Sequence, residues 1–392
     1  MTLEEGLRAN KGVGPGFHFM RHALAFIIIA HHCRVAVFGV HTTDYAGKGS
    51  LLGAAGASDV ASWQIAFELL RPGLYALVGG FFALSGFLVT GSALRNSCVK
   101  TFFVNRALRI VPALSVEVAL SAFVLGPLVT VLALRDYFAD PMFLRYFGNI
   151  VGFVSFTLPG VFVNNPWPEV VNMNLWTLPP EFWCYFFMIG MMAAGLLGRR
   201  NILNGATIAA VVLLTLCEII RPDLFSVRAD TTHFTVWYTV VMFFFGVAFC
   251  LNADKVPLNR ALFAAAAAGY YLLTLTNTLG VLSGVCLTYC VVYAGMIAFP
   301  TFDRLIKSDL SYGMYLYGFP ITQAYVFFVG ARMAEQGKWT GYAVILLATL
   351  VTTAVFSAAS WKYIEKPALA LRTRFVPSRK AASGAVKIQP AE

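Results

Sequence analysis

Apolar residues along this chain come in long blocks separated by short polar joints. The first block, residues 17–40, reads FHFMRHALAFIIIAHHCRVAVFGV. Nine more follow at about 68–92, 107–134, 176–197, 202–220, 234–251, 261–276, 279–299, 311–332 and 341–363. A helix crosses a bilayer in about 20 residues. The pattern therefore predicts an all-α, polytopic integral membrane protein with about ten transmembrane helices. Residues 146–158 form a half-length apolar piece, too short to cross and expected to lie in the interface or dip into it. The Gly-, Ala- and Ser-rich stretch 41–67 reads as an external loop. Residues 1–16 read as a polar N-terminal tail, 17–371 as one transmembrane domain, and 372–392 as a disordered C-terminal tail. No cleaved signal peptide is expected, because residues 1–16 lack a short apolar run before a small-residue cleavage site. No internal repeat is visible.

Composition agrees with this pattern. The 392 residues are 58% hydrophobic and 12% charged, where soluble domains carry about 25% charged residues. Basic residues then set the orientation. With the N-terminus inside, 19 of the 29 Lys and Arg fall on the inner side, nine on the outer side, and Arg21 lies within a span. The bias places both termini in the cytoplasm. Much of the net charge of +10 is thereby explained by topology, and no nucleic-acid partner is required. The seven cysteines show no CxxC pair and no disulfide framework, and read as small apolar fillers. The six histidines lack acidic or cysteine neighbours at ligand spacing, so no metal site is expected.

The first block is unusual for an anchor. It contains Arg21, His22, His31, His32 and Arg34. A charge at mid-bilayer costs roughly 2.5–3.5 kcal/mol on insertion scales, so such residues face a protein interior or a wet cavity. Arg21 and His32 are eleven positions apart, which puts them on one helix stripe about 16 Å apart. The fourth span, beginning LWTLPPEFWCYFF, enters from the opposite side, with Glu181 about a turn and a half in. Glu181 and His32 are thus expected at similar depth, where a carboxylate that met the imidazole would raise its basicity. Pro179 and Pro180 suit the first turn of that helix, where missing N–H groups cost little.

Six stretches together resemble the membrane-bound acyltransferase family 3. Arg21, HALAFIIIAH and His32 match the family's Arg, ten residues, His signature. FFALSGFL at 81–88 is close to FFxLSGFL, and NRALRIVPAL at 105–114 contains an RxxR through Arg106 and Arg109. LWTLPPEFWCYF at 175–186 resembles LWSLxxEFxFY, with its Glu at 181. DLSYGMYLYGFP at 309–320 is similar to xxSYxxYLxHxP, and WKYIEKP at 361–367 to YxxIEKP. The matches run in the family's order over residues 21–367. One departure stands out: Gly318 occupies the place of the family's His, whose part would be absent or taken by Tyr315 or Tyr317.

The resemblance implies O-acylation of bacterial surface polysaccharide, lipopolysaccharide or lipochitooligosaccharide by a stand-alone enzyme of the inner membrane, without a fused esterase-like domain. The donor it implies is acyl-CoA, most often acetyl-CoA, acting as co-substrate, with no bound cofactor. The acceptor is a carbohydrate or a lipid-linked glycan. Arg95, Lys100, Arg106 and Arg109 form the densest inner basic cluster and are the expected sites for the donor phosphates, Arg106 and Arg109 sharing a helix face. Snorkelling to lipid phosphate is the other role open to them. Arg21 is expected along the donor path or in a structural ion pair. His32 is the expected general base, rather than its neighbour His31, with Glu181 orienting it; an acyl-His relay is the alternative. Ser85 and Gly86 are candidate pocket residues with Tyr315 and Tyr317, although Gly86 also suits close helix packing. Glu117 and Glu218 match no motif and are assigned to packing or topology. A secondary transporter or export component is the competing class, but the paired halves or matching broken helices it needs are not found. Oligomeric state, acyl group and acceptor identity are not encoded in any of these features.

Overall fold

Every apolar block contains a helix. The computed structural model describes residues 1–10, 12–39, 62–225, 235–276 and 279–372. Its principal helices are α1 (Leu3–Ala9), α2 (Phe17–Phe38), α3 (Ser62–Arg95), α4 (Val99–Leu120), α5 (Leu178–Ala193), α6 (Arg200–Ile220), α7 (Val236–Leu251), α8 (Arg260–Leu275), α9 (Gly280–Ala294), α10 (Ser311–Glu335) and α11 (Lys338–Ser360). Among the described residues there is no strand, only two isolated bridges. Five helices are long and apolar enough to cross a membrane: Phe17–Phe38, Leu69–Arg95, Val99–Val129, Arg200–Ile220 and Lys338–Ala370. Helices α7, α8 and α9 are apolar but shorter. The ten expected crossings thus coincide with ten helices, of which five meet the length and hydropathy of a crossing. Most of the expected 41–67 loop, and all but Arg372 of the C-terminal tail, lie outside the described residues.

Small residues let helices approach closely at one crossing. A Cβ on Gly86 of α3 would collide with the Phe243 carbonyl of α7, and a Cβ on Gly246 would collide with the Ala83 carbonyl. Reciprocal glycines therefore bring the two backbones into contact. Around this crossing Phe17, Phe82, Phe87, Met188, Met242 and Phe243 form one buried cluster. A second cluster joins α4, the connection before α5, and α10 through Ile110, Leu114, Tyr137, Tyr146, Phe162 and Leu316.

Four segments have local structure that the hydrophobic pattern does not specify. Residues 1–10 are no free tail. Leu3 is fully buried, and the backbone pairs with the loop after α7 through Leu3 N–H to Val256 O (2.8 Å) and Leu258 N–H to Met1 O (2.9 Å). The apolar piece 146–158 is a 3-10 turn (Phe147–Val151) and a loop, not a helix. Asn149 closes it, donating to the carbonyls of Tyr146 and Ser155 and accepting from Ser155 N–H. The third and last spans each widen into a π-helical turn, Ser121–Leu125 and Trp361–Glu365, just before Pro127 and Pro367. Proline lacks an N–H and clashes with the carbonyl four residues back, and the wider turn relieves both faults.

Helix α6 packs one face, Leu203, Val211 and Leu214, against the core, and Glu218 is its one buried residue. That carboxylate accepts from Gly280 N–H (2.9 Å) and Val281 N–H (3.3 Å), capping α9 from a neighbouring helix. The residue before α9, Leu279, has φ 48° and supplies no side-chain cap of its own. Glu218 therefore has a local structural task.

Candidate active site

A cavity of about 430 Å³ lies between the two packed clusters, in the size range of small-molecule sites. Its wall follows one face of α3 from Val78 to Arg95, a run of about 25 Å at 1.5 Å per residue. Leu7, Gly12, Val13, Gly14 and Arg95 mark one end, and Ile28, Val78, Phe81, Thr177 and Tyr315 the other. Between them lie Arg21, Ser85, Arg106, Arg109, Glu181, Tyr185 and Tyr312. The site is a long apolar slot with cations contributed by α2, α3 and α4.

Those cations differ in what holds them. Asp309, just before α10, accepts from Arg21 Nη1 at 3.1 Å and Arg109 Nη2 at 2.7 Å through the same oxygen. Its other oxygen accepts from Ser311 Oγ at 2.6 Å, tying the pair to the start of α10. Arg109 also reaches Glu365 in the second π turn at 3.3 Å, and stacks over Tyr312 and Trp361. Burial alone would raise the Asp309 carboxyl, but Arg21 and Arg109 override it and hold the group at about 2. Beside them, His22 donates from Nδ1 to His18 O (2.9 Å) and accepts Leu310 N–H at Nε2 (3.1 Å), so the neutral Nδ1–H tautomer satisfies both bonds. Arg106 is different. It lies over the Phe102 and Tyr185 rings, its Nε is buried without a partner, and no carboxylate pairs with it among the described residues.

Glu181 and His32 are not brought together. Glu181 accepts from Tyr185 Oη at 2.6 Å, one turn along its own helix. His32 packs edge-on against Phe319 (5.3 Å between ring centroids) and Trp167 (6.2 Å), with Nδ1 buried and unbonded. The helical offsets explain the separation. Glu181 projects into the middle of the slot, whereas His32 lies one turn beyond Ile28, where the slot ends. Arg21, Ile28 and His32 still share the expected stripe of α2.

The remaining candidates divide. Arg95, Ser85 and Tyr315 line the slot, with Tyr315 Oη bonded to Thr177 Oγ1 (2.7 Å) at its inner end. Lys100 is exposed and off the wall, Gly86 faces α7, and Tyr317 packs against Phe356. At Gly318 a Cβ would come within 2.7 Å of Ile29 Cγ1, so close packing of α10 on α2 fills the space where the family pattern has an imidazole. Asp309, Trp167 and Tyr185 were not singled out by sequence. Asp309 carried one usable signal, an acid immediately before a helix, and Tyr185 another, since it stands at the Tyr of the LWSLxxEFxFY pattern.

Comparison with known proteins identifies the domain. The sequence pattern of an acyltransferase domain matches residues 15–358. The chain is 28% identical over 347 residues to Nodulation protein 10 of Rhizobium leguminosarum bv. viciae, covering 80% of this chain and 86% of that protein. It is 27% identical over 312 residues to the O-acetyl transferase of Shigella phage Sf6, covering 73% and 82%. No solved structure matches. A helical membrane protein with this domain over nearly its whole length, and these relatives, belongs to the family 3 acyltransferases and is an O-acyltransferase.

Proposed function

We propose that the enzyme moves an acyl group, acetyl in the first instance, from cytosolic acyl-CoA to a hydroxyl of a cell-surface carbohydrate or its lipid-linked precursor in the inner membrane. The observation that carries this reading is the slot itself, which is basic along its wall and aligned with His32 on a single face of α2. With both termini cytoplasmic, its Arg95 end opens to the cytosol. Arg95 and Arg106 receive donor phosphates there, and Arg106 has the one wall guanidinium free of a carboxylate among Arg21, Arg106 and Arg109. Lys100 acts at most outside the slot. Arg21 and Arg109, clamped by Asp309, shape the wall. Tyr185 lies under the Arg106 guanidinium and donates to Glu181, and Glu181 no longer serves to orient His32.

The pantetheine arm follows the apolar face of α3 and brings the thioester to Ile28, a helical turn or about 6 Å along α2 from His32. A sugar hydroxyl attacks the thioester carbonyl carbon while neutral His32 takes its proton. The C–S bond then breaks, and CoA leaves as the thiol with that proton. Positioned base catalysis of this kind is worth about 10²–10⁴-fold.

Inverted membrane vesicles supplied with radiolabelled acetyl-CoA test the reading. Label should enter a glycan or lipid-linked sugar fraction in wild type and fall at least about 100-fold in His32→Ala at equal expression. Label retained on denatured protein would indicate an acyl-His relay. Normal transfer by His32→Ala removes the catalytic assignment, and no transfer by wild type removes acetyl-CoA as donor.

A further inference from the structure

The stretch VFVNNPWPE, residues 161–169, lies at the end of the bundle opposite the Arg95 mouth. Gly39, which closes α2 just past His32, sits against Pro166 there. The two prolines keep the residues before them, Asn165 and Trp167, out of helical geometry. Both ends of the loop are held in left-handed backbone by non-glycine residues, Phe162 at φ 55° and Glu169 at φ 62°. Such conformations persist only where surrounding structure enforces them. The enforcement is visible. Buried Gln323 of α10 donates to the carbonyls of Trp167 (2.8 Å) and Val170 (2.7 Å). Buried Asn165 donates back to Gln323 O (3.0 Å) and Oε1 (3.1 Å). A rigid frame thus presents half-buried Trp167 among the exposed residues Val163, Asn164, Pro166, Pro168 and Glu169.

The indole meets Phe319 at 5.1 Å and His32 at 6.2 Å between centroids. His32 Nδ1 is buried without a partner beside it. An aromatic side chain and an unengaged imidazole therefore share one corner of the loop. A pyranose suits that pairing. Its C–H face is apolar and flat, matching an indole, while its rim hydroxyls reach sideways to an imidazole.

We propose that Trp167 is the stacking platform for the acceptor's pyranose ring, and that the 162–169 loop is the acceptor-side binding site. The inference rests on the acyl-transfer reading of His32. An acyclic alcohol gains nothing from the platform, so the site selects ring hydroxyls.

Saturation-transfer NMR on the purified full-length protein in nanodiscs tests this. The probes are methyl β-D-glucopyranoside and methyl α-L-rhamnopyranoside, with glycerol as the acyclic control. Wild type should saturate the ring C–H protons of at least one pyranoside above glycerol. Trp167→Ala should weaken that signal by about five- to tenfold, the range of one aromatic contact, while Trp167→Phe keeps most of it. His32→Ala should weaken the ring signal less than Trp167→Ala does, because the imidazole meets a rim hydroxyl and not the ring face. Equal saturation in wild type and Trp167→Ala overturns the proposal, as does none in wild type. Equal loss in Trp167→Ala and Trp167→Phe at unchanged thermal unfolding overturns it too. A His32→Ala protein that transfers acetyl normally would remove the catalytic reading and leave the ring signal to decide the platform.

Discussion

Arg109 bridges two carboxylates, Asp309 and Glu365, the second of them 1% exposed. Removing its guanidinium strands Glu365 and leaves Asp309 with Arg21 as its only cation. Loss of one partner from a buried pair costs about 3–5 kcal/mol, and the partial exposure of Arg109 and Asp309 places the expected cost near the lower end. Arg106 supports no such network, and its cation–π contacts are worth about 0.5–1 kcal/mol at a partly exposed site. Arg109→Ala should therefore lower the unfolding temperature and the yield of monodisperse protein. Arg106→Ala should leave both near wild type and raise KM for acetyl-CoA. Equal unfolding temperatures for the two variants would contradict this division. Asp309 adds a pH dependence. Its folded-state carboxyl titrates at about 2, below the unfolded value near 4. A depressed carboxyl contributes stability that is complete above the unfolded value and is lost as pH falls through the folded one. Wild type should lose unfolding temperature between about pH 4 and 2, more steeply than Asp309→Asn, in thermal scans of detergent-solubilised protein.

At the scale of elements, α9 depends on α6. Leu279 lies in left-handed backbone and offers no side-chain cap, so Gly280 and Val281 direct their N–H groups to Glu218 instead. A buried donor left without an acceptor costs about 1–3 kcal/mol, and a carboxylate at a helix N-terminus also favours the dipole. Glu218→Ala should speed amide exchange in the first turn of α9 and lower the unfolding temperature, while Glu218→Gln retains part of the cap. Unchanged exchange at residues 280–283 would mean the cap is dispensable. The same logic applies to the buried carboxylate of α4. Glu117 accepts from Ser121 Oγ and from Asn172 Nδ2, both at 2.9 Å, and Asn172 also donates to Leu316 O. That bond set fastens the end of the long connection to α4 and α10, close to the loop that carries Trp167.

The whole molecule presents two ends. The docked N-terminal segment and Arg95 frame the mouth of the slot, and the loop bearing Trp167 packs against His32, one helical turn beyond the other end. On the proposed acyl-CoA reading these ends lie on different sides of the membrane, with the nucleotide end inside. A C-terminal fluorescent-protein fusion should therefore glow, and an alkaline-phosphatase fusion at the same place should stay inactive. An active phosphatase fusion would invert the assignment, and with it the source of the donor. The segment 1–10, though polar in sequence, belongs to this architecture, because Leu3 is buried and Leu7 lines the mouth.

Helix positions, membrane character and family were already determined by the sequence, because long apolar runs and ordered motifs are local properties of the chain. Local too was the shared stripe of Arg21 and His32, which follows from 3.6 residues per turn. Side-chain partnership was decided only in three dimensions. The depth estimate brought Glu181 towards His32, but the folded chain sets Glu181 in the middle of the slot and His32 a turn beyond its end, and Glu181 turned to Tyr185 instead. Asp309 found Arg21 and Arg109 across separations of hundreds of residues that no periodicity records. The replacement at Gly318 was legible as a missing imidazole, and only packing revealed that Ile29 fills the space. Trp167 carried no motif at all. Its place beside His32 depends on a strained loop, two prolines and a buried glutamine acting together, and that coupling exists only once the chain has folded.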